Sequence, residues 1–148
     1  MLSVYSGQRR SDIVRMGRQH LEDRALNVRQ QKTGAQLAIP IHPKLRAELD
    51  HLPSASLTFL MTAQGKPFSP VGFSNWFSDC ARKAGLPSNS SPHGLRKAAA
   101  RRLAEAGCSV FEIASITGHA SLKEVERYTK SAQQKLLARS AMSALGHG

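Results

Sequence analysis

Cysteine is scarce in this chain of 148 residues, which contains only Cys80 and Cys108. Two thiols are too few for a disulfide framework or a thiolate metal cage, so the composition predicts a reducing, cytoplasmic location. A long apolar run is missing as well. The longest, Leu57 to Met61, is too short to cross a bilayer, and Met1 is not followed by a signal-like segment. We therefore expect neither a secreted nor a membrane protein.

Acidic residues are also few, with 10 aspartates and glutamates against 21 lysines and arginines and a net charge of +11. They are scattered and form no evident carboxylate group for a metal ion, so no metal and no other cofactor is expected. Residues 1–46 hold nine basic and three acidic side chains, residues 47–91 three of each, and residues 92–148 nine and four. The partner is expected to be a polyanion, bound where the two basic ends meet if the fold joins them.

The length and the 41% hydrophobic content predict one domain with a real core. Residues 25–31 and 36–41 alternate apolar and polar side chains, which is typical of two β-strands. The segment between them contains Gly34, which can adopt a positive φ, so it predicts a hairpin turn with Lys32 near its tip. Together with the helical segments below, this pattern predicts an α+β fold, mostly helical with a small antiparallel β-sheet.

Helical spacing and capping residues predict the other elements. Ser69 and Ser91 are each followed by proline, which favours a helix start. Phe73 and Trp76 lie at helical spacing and are predicted to be core. The predicted helices are a short one over residues 11–17, one from Pro43, one from Ser69 to Gly85, one from Ser91 to Gly107, two short helices beginning with the capping boxes Ser109/Glu112 and Ser121/Glu124, and a last one over residues 131–145.

One helix start carries side chains suited to a phosphate. His93 and Arg96 are three residues apart and share a face near the predicted helix N-terminus, where unpaired N–H groups and the helix dipole attract anions. An isolated H-x-x-R pair is more often an ordinary surface pair. Its meaning depends on four other residues of the chain, Arg9, Lys32, His119 and Tyr128.

Four short motifs occur in an informative order: S-G-Q-R-R-S-D at residues 6–12, Q-K-T-G at 31–34, H-G-L-R-K at 93–97 and G-H-A-S-L-K-E-V-E-R-Y at 118–128. With them the chain resembles the tyrosine recombinases, the phage-integrase family of site-specific DNA recombinases. The resemblance covers residues 4–128 and implies a catalytic set. In that set Arg9 and Arg96 bind the scissile phosphate, Lys32 is the general acid, His93 and His119 are the active-site histidines, Tyr128 is the nucleophile, and Asp12 supports the first arginine.

These residue types suit cleavage of a phosphodiester. Negative charge develops on the phosphate oxygens in the transition state, and guanidinium groups supply fixed cationic donors for it. A phenol with a pKa of about 10 needs a base or nearby cations to attack at neutral pH, and the leaving 5′ oxygen needs a proton. The resemblance therefore implies DNA cleavage and rejoining through a 3′-phosphotyrosyl intermediate. The implied partners are double-stranded DNA and other recombinase protomers in a synaptic tetramer.

The resemblance is incomplete. Asp12, Ala98, Ala99 and Lys130 depart mildly from the family's usual residues, and only eight residues precede Arg9. The expectation is one catalytic domain over residues 1–148, without the family's N-terminal DNA-binding domain and without the first catalytic-domain helix. The helix of residues 136–145 is expected to pack either on a neighbouring protomer or on its own domain.

Two other functions remain open from the sequence. Residues 103–118 resemble a helix-turn-helix, so a non-catalytic DNA-binding regulator is one alternative. The other is a truncated recombinase remnant that binds DNA without turnover. Neither would need Tyr128 as a nucleophile, so a covalent protein–DNA adduct distinguishes both from a recombinase.

Overall fold

The structure, a computed structural model, describes residues 1–146; the last two residues of the predicted domain lie outside this range. It confirms the mostly helical α+β fold with one small antiparallel sheet. The helices are α1 (Leu2–Ser6), α2 (Arg10–Ile13), α3 (Pro43–Asp50), α4 (Pro70–Lys83), α5 (Pro92–Glu105), α6 (Val110–Thr117) and α7 (Leu122–Leu145), and the strands are β1 (Leu21–Glu22), β2 (Ala25–Arg29) and β3 (Gln36–Pro40).

The sheet has the order β1-β2-β3, and both strand pairs are antiparallel. Leu26 pairs with Ile39 and both are buried, so the predicted alternation does mark the face that packs on the core. Gly34 has a φ of +71° in the turn between β2 and β3, as its position predicts. Lys32 lies on this turn and is exposed.

Two hydrophobic clusters form the interior. The first joins the sheet to α1 and α3 and includes Leu2, Leu26 and Leu45. The second lies among α5, α6 and α7 and includes Ile113 and Val125, both fully buried. Helix α5 packs against α1 as well as α6 and α7, so it connects the two clusters. This contact brings the N-terminal and C-terminal basic segments together.

Most predicted helix ends are confirmed. Ser91 accepts a hydrogen bond from the Gly94 N–H (3.1 Å) and caps α5. Ser109 and Glu112 form both hydrogen bonds of a capping box at the start of α6. Gly118 ends α6 with a φ of +69°, in the left-handed region that favours glycine. The segment before His119 is therefore fixed by local sequence.

The second predicted capping box is wrong. Ser121 makes no side-chain cap at the start of α7, and the carboxylate of Glu124 lies 3.9 Å from Nε2 of His119 instead. The two helices predicted from residue 121 onward are one continuous helix of 24 residues. No glycine or proline lies between Leu122 and Leu145, so nothing in the backbone ends the helix midway.

The predicted short helix over residues 11–17 is also shorter than expected, because α2 ends at Ile13. The Met16 carbonyl accepts a hydrogen bond from the Phe59 N–H (2.7 Å), and Gly17 has an extended backbone, with its Cα close to the Leu57 carbonyl. The extended backbone of Gly17 cannot continue a helix, and the long-range hydrogen bond holds Met16 against the segment around Phe59 instead.

Trp76 is 47% exposed, so its assignment to the core is wrong. Its ring lies 5.5 Å from that of Phe68 and 5.9 Å from that of Phe73, measured between centroids. Of the residues in α4, only Phe73 and Ala81 are buried. Helix α4 therefore contacts the core through a narrow stripe of residues. The helical spacing of apolar residues predicts that such a stripe exists but not how wide it is. Within residues 1–146 no helix combines the length and apolarity needed to span a bilayer.

Candidate active site

Arg96 occupies the centre of the candidate site. It lies on α5, is 2% exposed, and its Nη1 donates to the carbonyls of Gly7 and Thr117, both at 2.6 Å. Its Nη2 is buried and has no hydrogen-bond partner among the described residues. A buried cationic donor without an acceptor is unfavourable unless a ligand supplies one. The Arg96 side chain is thus fixed on one side and free to donate on the other.

Arg9 is the second cation of the site. It is the residue before α2, with φ −72° and ψ 154°, and its Nη1 is also buried without a partner in the part of the chain described. Burial, and then the nearby positive charge of Arg9, lower the pKa of Arg96 to about 10. Both guanidinium groups remain charged at neutral pH. Their mutual repulsion makes an anion between them favourable.

His119 follows Gly118 and lies beside these arginines, with a side chain only 6% exposed. Burial, followed by the charge of Arg96, lowers the pKa of His119 to about 4, although Glu124 opposes the shift. Its imidazole is therefore neutral at pH 7. The smaller effects of Arg9 and His93 on the same pKa show that these groups lie within electrostatic range of His119.

The Thr117 hydroxyl orients the ring of His119. Nδ1 lies 2.6 Å from Oγ1 of Thr117, and the same hydroxyl lies 2.9 Å from the Ile113 carbonyl. The position of Thr117 at the end of α6 therefore fixes the direction in which the imidazole points. Nε2 faces Glu124, at 3.9 Å from Oε1.

Tyr128 is half-buried on α7 and belongs to the edge of the second hydrophobic cluster. Burial, followed by the charge of Glu124, raises the pKa of the Tyr128 phenol, and Arg127 and Arg96 act in the opposite direction. The phenol is protonated at neutral pH, so its attack on phosphorus requires a base. The charge of Arg96 acts on the Tyr128 phenol, so the two side chains lie within electrostatic range of each other.

His93 is exposed in the first turn of α5 and faces the open side of the site. There it borders a cavity of about 470 Å³ that is accessible from solvent. The cavity is lined by Arg9, Arg10, Ser11, Ser74, Ser78, Ser91, Pro92 and His93.

Lys32 is the predicted site residue that the structure does not join to the other five. It is exposed on the hairpin turn and makes no hydrogen bond or ion pair with residues 1–146. Asp12 links this turn to the site: its carboxylate is buried, and Oδ1 accepts a hydrogen bond from the backbone N–H of Gln31 at 2.9 Å. Asp12 also raises the pKa of Arg96 through its charge. Five of the six predicted residues, and Asp12, therefore belong to one electrostatic cluster.

Sequence reasoning missed three buried polar residues of the site. Gln30 Nε2 donates to Gln8 Oε1 (2.7 Å) and to the Thr117 carbonyl (2.9 Å), which also accepts from Arg96. Gln8 and Thr117 are fully buried, and Gln30 is 1% exposed. The available signal was their place relative to the motifs: Gln8 lies within the first motif, and Gln30 and Thr117 directly precede the second and the fourth. The spacing of polar residues does not reveal burial.

The sequence profile of the Phage integrase family matches residues 1–135. The chain belongs to that family. The resemblance that the four motifs indicate is thus confirmed over almost the whole length described.

Similar proteins include two curated relatives and one solved structure. The integrase of Escherichia phage HK022 is 33% identical over 112 residues, which cover 68% of this chain and 31% of the phage protein. Tyrosine recombinase XerC of Rhodospirillum centenum is 30% identical over 139 residues, which cover 88% of this chain and 41% of XerC. A lambda integrase tetramer bound to a Holliday junction has a similar fold, with a TM-score of 0.72 and 27% identity over 86% of this chain and 40% of that one.

The chain spans less than half the length of these relatives. Its matched part contains Arg9, Arg96, His119 and Tyr128, which all lie within residues 1–135. The activity of the longer relatives is therefore a proposal for this integrase-family chain, and it depends on the residues of its own site.

The neutral state of His119 predicts that acid destabilises this integrase-family fold. Its pKa is about 4 in the folded chain and near 6.5 without burial. As the pH falls from about 6.5 to about 4, the unfolded chain binds a proton that the folded chain excludes, so the free energy of unfolding decreases. Below that window the loss from this residue reaches about 3 kcal/mol, and above it the residue contributes no such loss.

Urea unfolding of the wild type and of His119→Asn at about pH 7 and about pH 4.5 measures this contribution. The asparagine keeps an amide near the Nδ1 position but does not titrate, so the variant is expected to lose less stability on acidification. His51→Asn is the matched control because His51 is exposed on the surface. Equal losses in the wild type and in H119N contradict the prediction.

Proposed function

We propose that this chain is the catalytic domain of a tyrosine-type site-specific recombinase, which cleaves and rejoins DNA through a 3′-phosphotyrosyl intermediate. The supporting observation is the pair of buried guanidinium groups. Arg9 lies close enough to lower the pKa of Arg96, and each arginine has one buried donor nitrogen without a partner within residues 1–146. A phosphodiester supplies the negative charge and the acceptor oxygens that both groups lack.

The arginine pair is suited to the transition state in particular. Arg96 is held by two carbonyls, so its free Nη2 is oriented before the substrate arrives. Preorganised donors of this kind stabilise charge that develops during the reaction, and removing one of them typically lowers the rate by about 100-fold to 1,000-fold. His119, which stays neutral, adds no further positive charge to this crowded site.

The proposed cleavage step forms one bond and breaks one. The Tyr128 oxygen attacks phosphorus, a bond forms between them, and the bond from phosphorus to the 5′ oxygen breaks. The phenol proton passes to a base, for which exposed His93 is the proposed residue, and Lys32 donates a proton to the leaving 5′ oxygen. A 5′-hydroxyl from another strand reverses the step, so the phosphodiester energy is conserved without a nucleotide cofactor.

The proposed partners are double-stranded DNA and further recombinase protomers in a tetramer. The net charge of +11 favours a polyanion, and helix α5 brings the two basic ends of the chain together. The lambda integrase structure described above is a tetramer on a Holliday junction, which supports the same assembly here. Residues 1–148 are proposed to act as one catalytic domain in the cytoplasm, where the free thiols of Cys80 and Cys108 fit a reducing environment.

A helix-turn-helix regulator receives less support. Helices α5 and α6 are joined by a short turn, but α6 contains no lysine or arginine and its one charged residue is Glu112. A recognition helix usually offers basic or amide side chains to the bases and phosphates. Arg96 on α5 is buried and therefore unable to serve as an exposed reading residue. The remnant without turnover stays open and is an outcome of the test.

A trapping experiment tests the proposal. The chain is incubated with a library of nicked duplexes of randomised sequence, in which the nick lets the short cleaved fragment diffuse away. Denaturant-resistant protein–DNA adducts are then isolated and digested, and the modified peptide is identified by mass spectrometry. An adduct at Tyr128 supports a recombinase. Binding to DNA without any adduct supports the non-catalytic alternatives and overturns the proposal.

DNA binding by this chain is expected to be weak and strongly dependent on salt. Each phosphate contact contributes about 0.9 to the slope of log affinity against log salt concentration, so several contacts give a steep decrease. Fluorescence anisotropy with a labelled duplex between about 50 and 200 mM salt measures the slope. An affinity that does not change over this range contradicts phosphate-directed binding.

A further inference from the structure

Gln30 is a buried residue directly after β2, two residues before Lys32. Its Nε2 donates to Gln8 Oε1 (2.7 Å) and to the Thr117 carbonyl (2.9 Å), and its Oε1 accepts from the Thr33 hydroxyl (2.8 Å). Both amide hydrogens are used, and the amide oxygen accepts from a hydroxyl group. This pattern defines the orientation of the amide, because a flipped group would place Oε1 against two acceptors.

The same amide touches the proposed phosphate-binding group through one shared atom. The Thr117 carbonyl accepts from Gln30 and also from Arg96 Nη1, the latter at 2.6 Å. The base of the hairpin and the guanidinium of Arg96 are therefore tied to a single oxygen. This shared contact restricts how far the base of the hairpin can move relative to the Arg96 guanidinium.

Close packing against the His119 segment reinforces this tie. A Cβ at Gly118 would lie 2.5 Å from Gln30 Nε2, so only glycine leaves room for the amide. The positive φ of Gly118 (+69°) favours the same residue. The Gln30 side chain consequently fills the space between the hairpin and the backbone that leads to His119.

On the hairpin side, Gln30 holds both ends of the turn. Its backbone N–H donates to the Ala35 carbonyl (2.9 Å), its carbonyl accepts from the Gly34 N–H (2.8 Å), and its side chain holds Thr33. Asp12 adds a further anchor at the Gln31 N–H. Lys32 itself is exposed, so its position relative to the site is set by the turn that carries it.

We propose that Gln30 is a positioning residue that sets the place of Lys32 relative to Arg96 and thereby controls proton delivery to the leaving 5′ oxygen. This inference rests on the function proposed above. Without the Gln30 amide the turn loses its connection to the Thr117 carbonyl, whereas Arg96 keeps its bonds to Gly7 and Thr117. The defect is therefore specific to leaving-group protonation, and phosphate binding is retained.

The experiment uses the full chain and two versions of a nicked duplex that forms the adduct described above. One has the natural 5′ oxygen at the cleaved bond, and the other has sulfur at this bridging 5′ position. A thiolate leaves without a proton, so cleavage of the sulfur substrate does not depend on a general acid. Gln30→Met is expected to slow single-turnover cleavage of the oxygen substrate by about 10-fold to 100-fold and to leave the sulfur substrate within about 3-fold of the wild type. Lys32→Ala shows the same pattern with a larger effect.

Gln36→Met is the matched control, an exposed glutamine on the same hairpin, and it is expected to cleave both substrates like the wild type. Thr33→Val at an exposed position removes the hydroxyl that donates to Gln30 and also accepts from the Ala35 N–H at 3.2 Å, and it tests the inference if Q30M does not fold. It is expected to show the Q30M pattern with a smaller effect.

The outcomes separate the two proposals. If the wild type forms no adduct on either substrate, the proposed function is wrong and the inference falls with it. If the wild type cleaves both substrates and the Gln30 and Thr33 variants slow both equally or neither, the positioning role alone is overturned. Selective loss on the oxygen substrate supports it.

Discussion

Tyr128→Phe is expected to eliminate the covalent protein–DNA adduct completely while leaving DNA binding unchanged. The substitution removes the one oxygen that can attack phosphorus, and no base or cation in the site can replace it. The phenol is half-buried at the edge of the α5–α7 cluster, and its ring is retained in phenylalanine. The free energy of unfolding is therefore expected to change by less than about 1 kcal/mol. Adduct yield on the trapped duplex and anisotropy with an intact duplex measure the two effects.

The second tyrosine of the chain provides the control. Tyr5 stacks on His42 with 4.5 Å between ring centroids, and the Arg102 guanidinium lies 5.2 Å from its centroid. Tyr5→Phe keeps the ring and removes a hydroxyl that the proposed reaction does not use, so adduct formation should persist. An adduct in Y128F would show that another side chain is the nucleophile and would overturn the proposed mechanism.

Arg96→Lys is expected to lower the cleavage rate by about 100-fold to 1,000-fold although it keeps the positive charge. The guanidinium uses one nitrogen for the Gly7 and Thr117 carbonyls and keeps another free. A lysine ammonium is a compact charge at the end of a flexible chain and cannot reproduce this planar arrangement. The Thr117 carbonyl keeps its bond from Gln30, but the Gly7 carbonyl loses the Arg96 donor, which lowers the free energy of unfolding by about 1–3 kcal/mol.

Single-turnover cleavage and urea unfolding of R96K distinguish these two effects. Arg82→Lys is the matched control because Arg82 is exposed on α4 and pairs only with Asp79 at the surface, among the contacts described. It should change neither measurement beyond a few tenths of a kcal/mol. Cleavage by R96K at nearly the wild-type rate would contradict the proposal that the Arg96 guanidinium is held in place before the substrate binds and stabilises the charge on the phosphate.

The local elements of the fold follow closely from the sequence. The β2–β3 hairpin, the positive φ of Gly34 and the Ser109/Glu112 capping box are short-range patterns, and the structure confirms each. The errors concern features that local patterns do not determine. Beyond the end of α2 the Met16 carbonyl accepts from the distant Phe59 N–H, and Trp76 is exposed although it lies at helical spacing from Phe73.

In the candidate site too, some features were predicted from the sequence and others were not. Its motif residues were identified from their order, but Glu124 was assigned to a helix cap and instead faces His119. Gln30, directly after β2, belongs to none of the four motifs. Its importance depends on Thr117, which is 87 residues away in the chain and contributes the carbonyl that Gln30 shares with Arg96.

The amino-acid sequence by itself determined the chemistry available to this protein: two arginines, a lysine, two histidines and a tyrosine in a recognisable order, on a basic chain with a short hairpin and well-capped helices. The tertiary structure alone decided which guanidinium nitrogens stay free, that the imidazole of His119 remains neutral, and how the hairpin is fastened to Arg96. The reason is physical. Burial and long-range hydrogen bonds arise only when segments far apart in the chain pack together, and these interactions determine charge state and orientation.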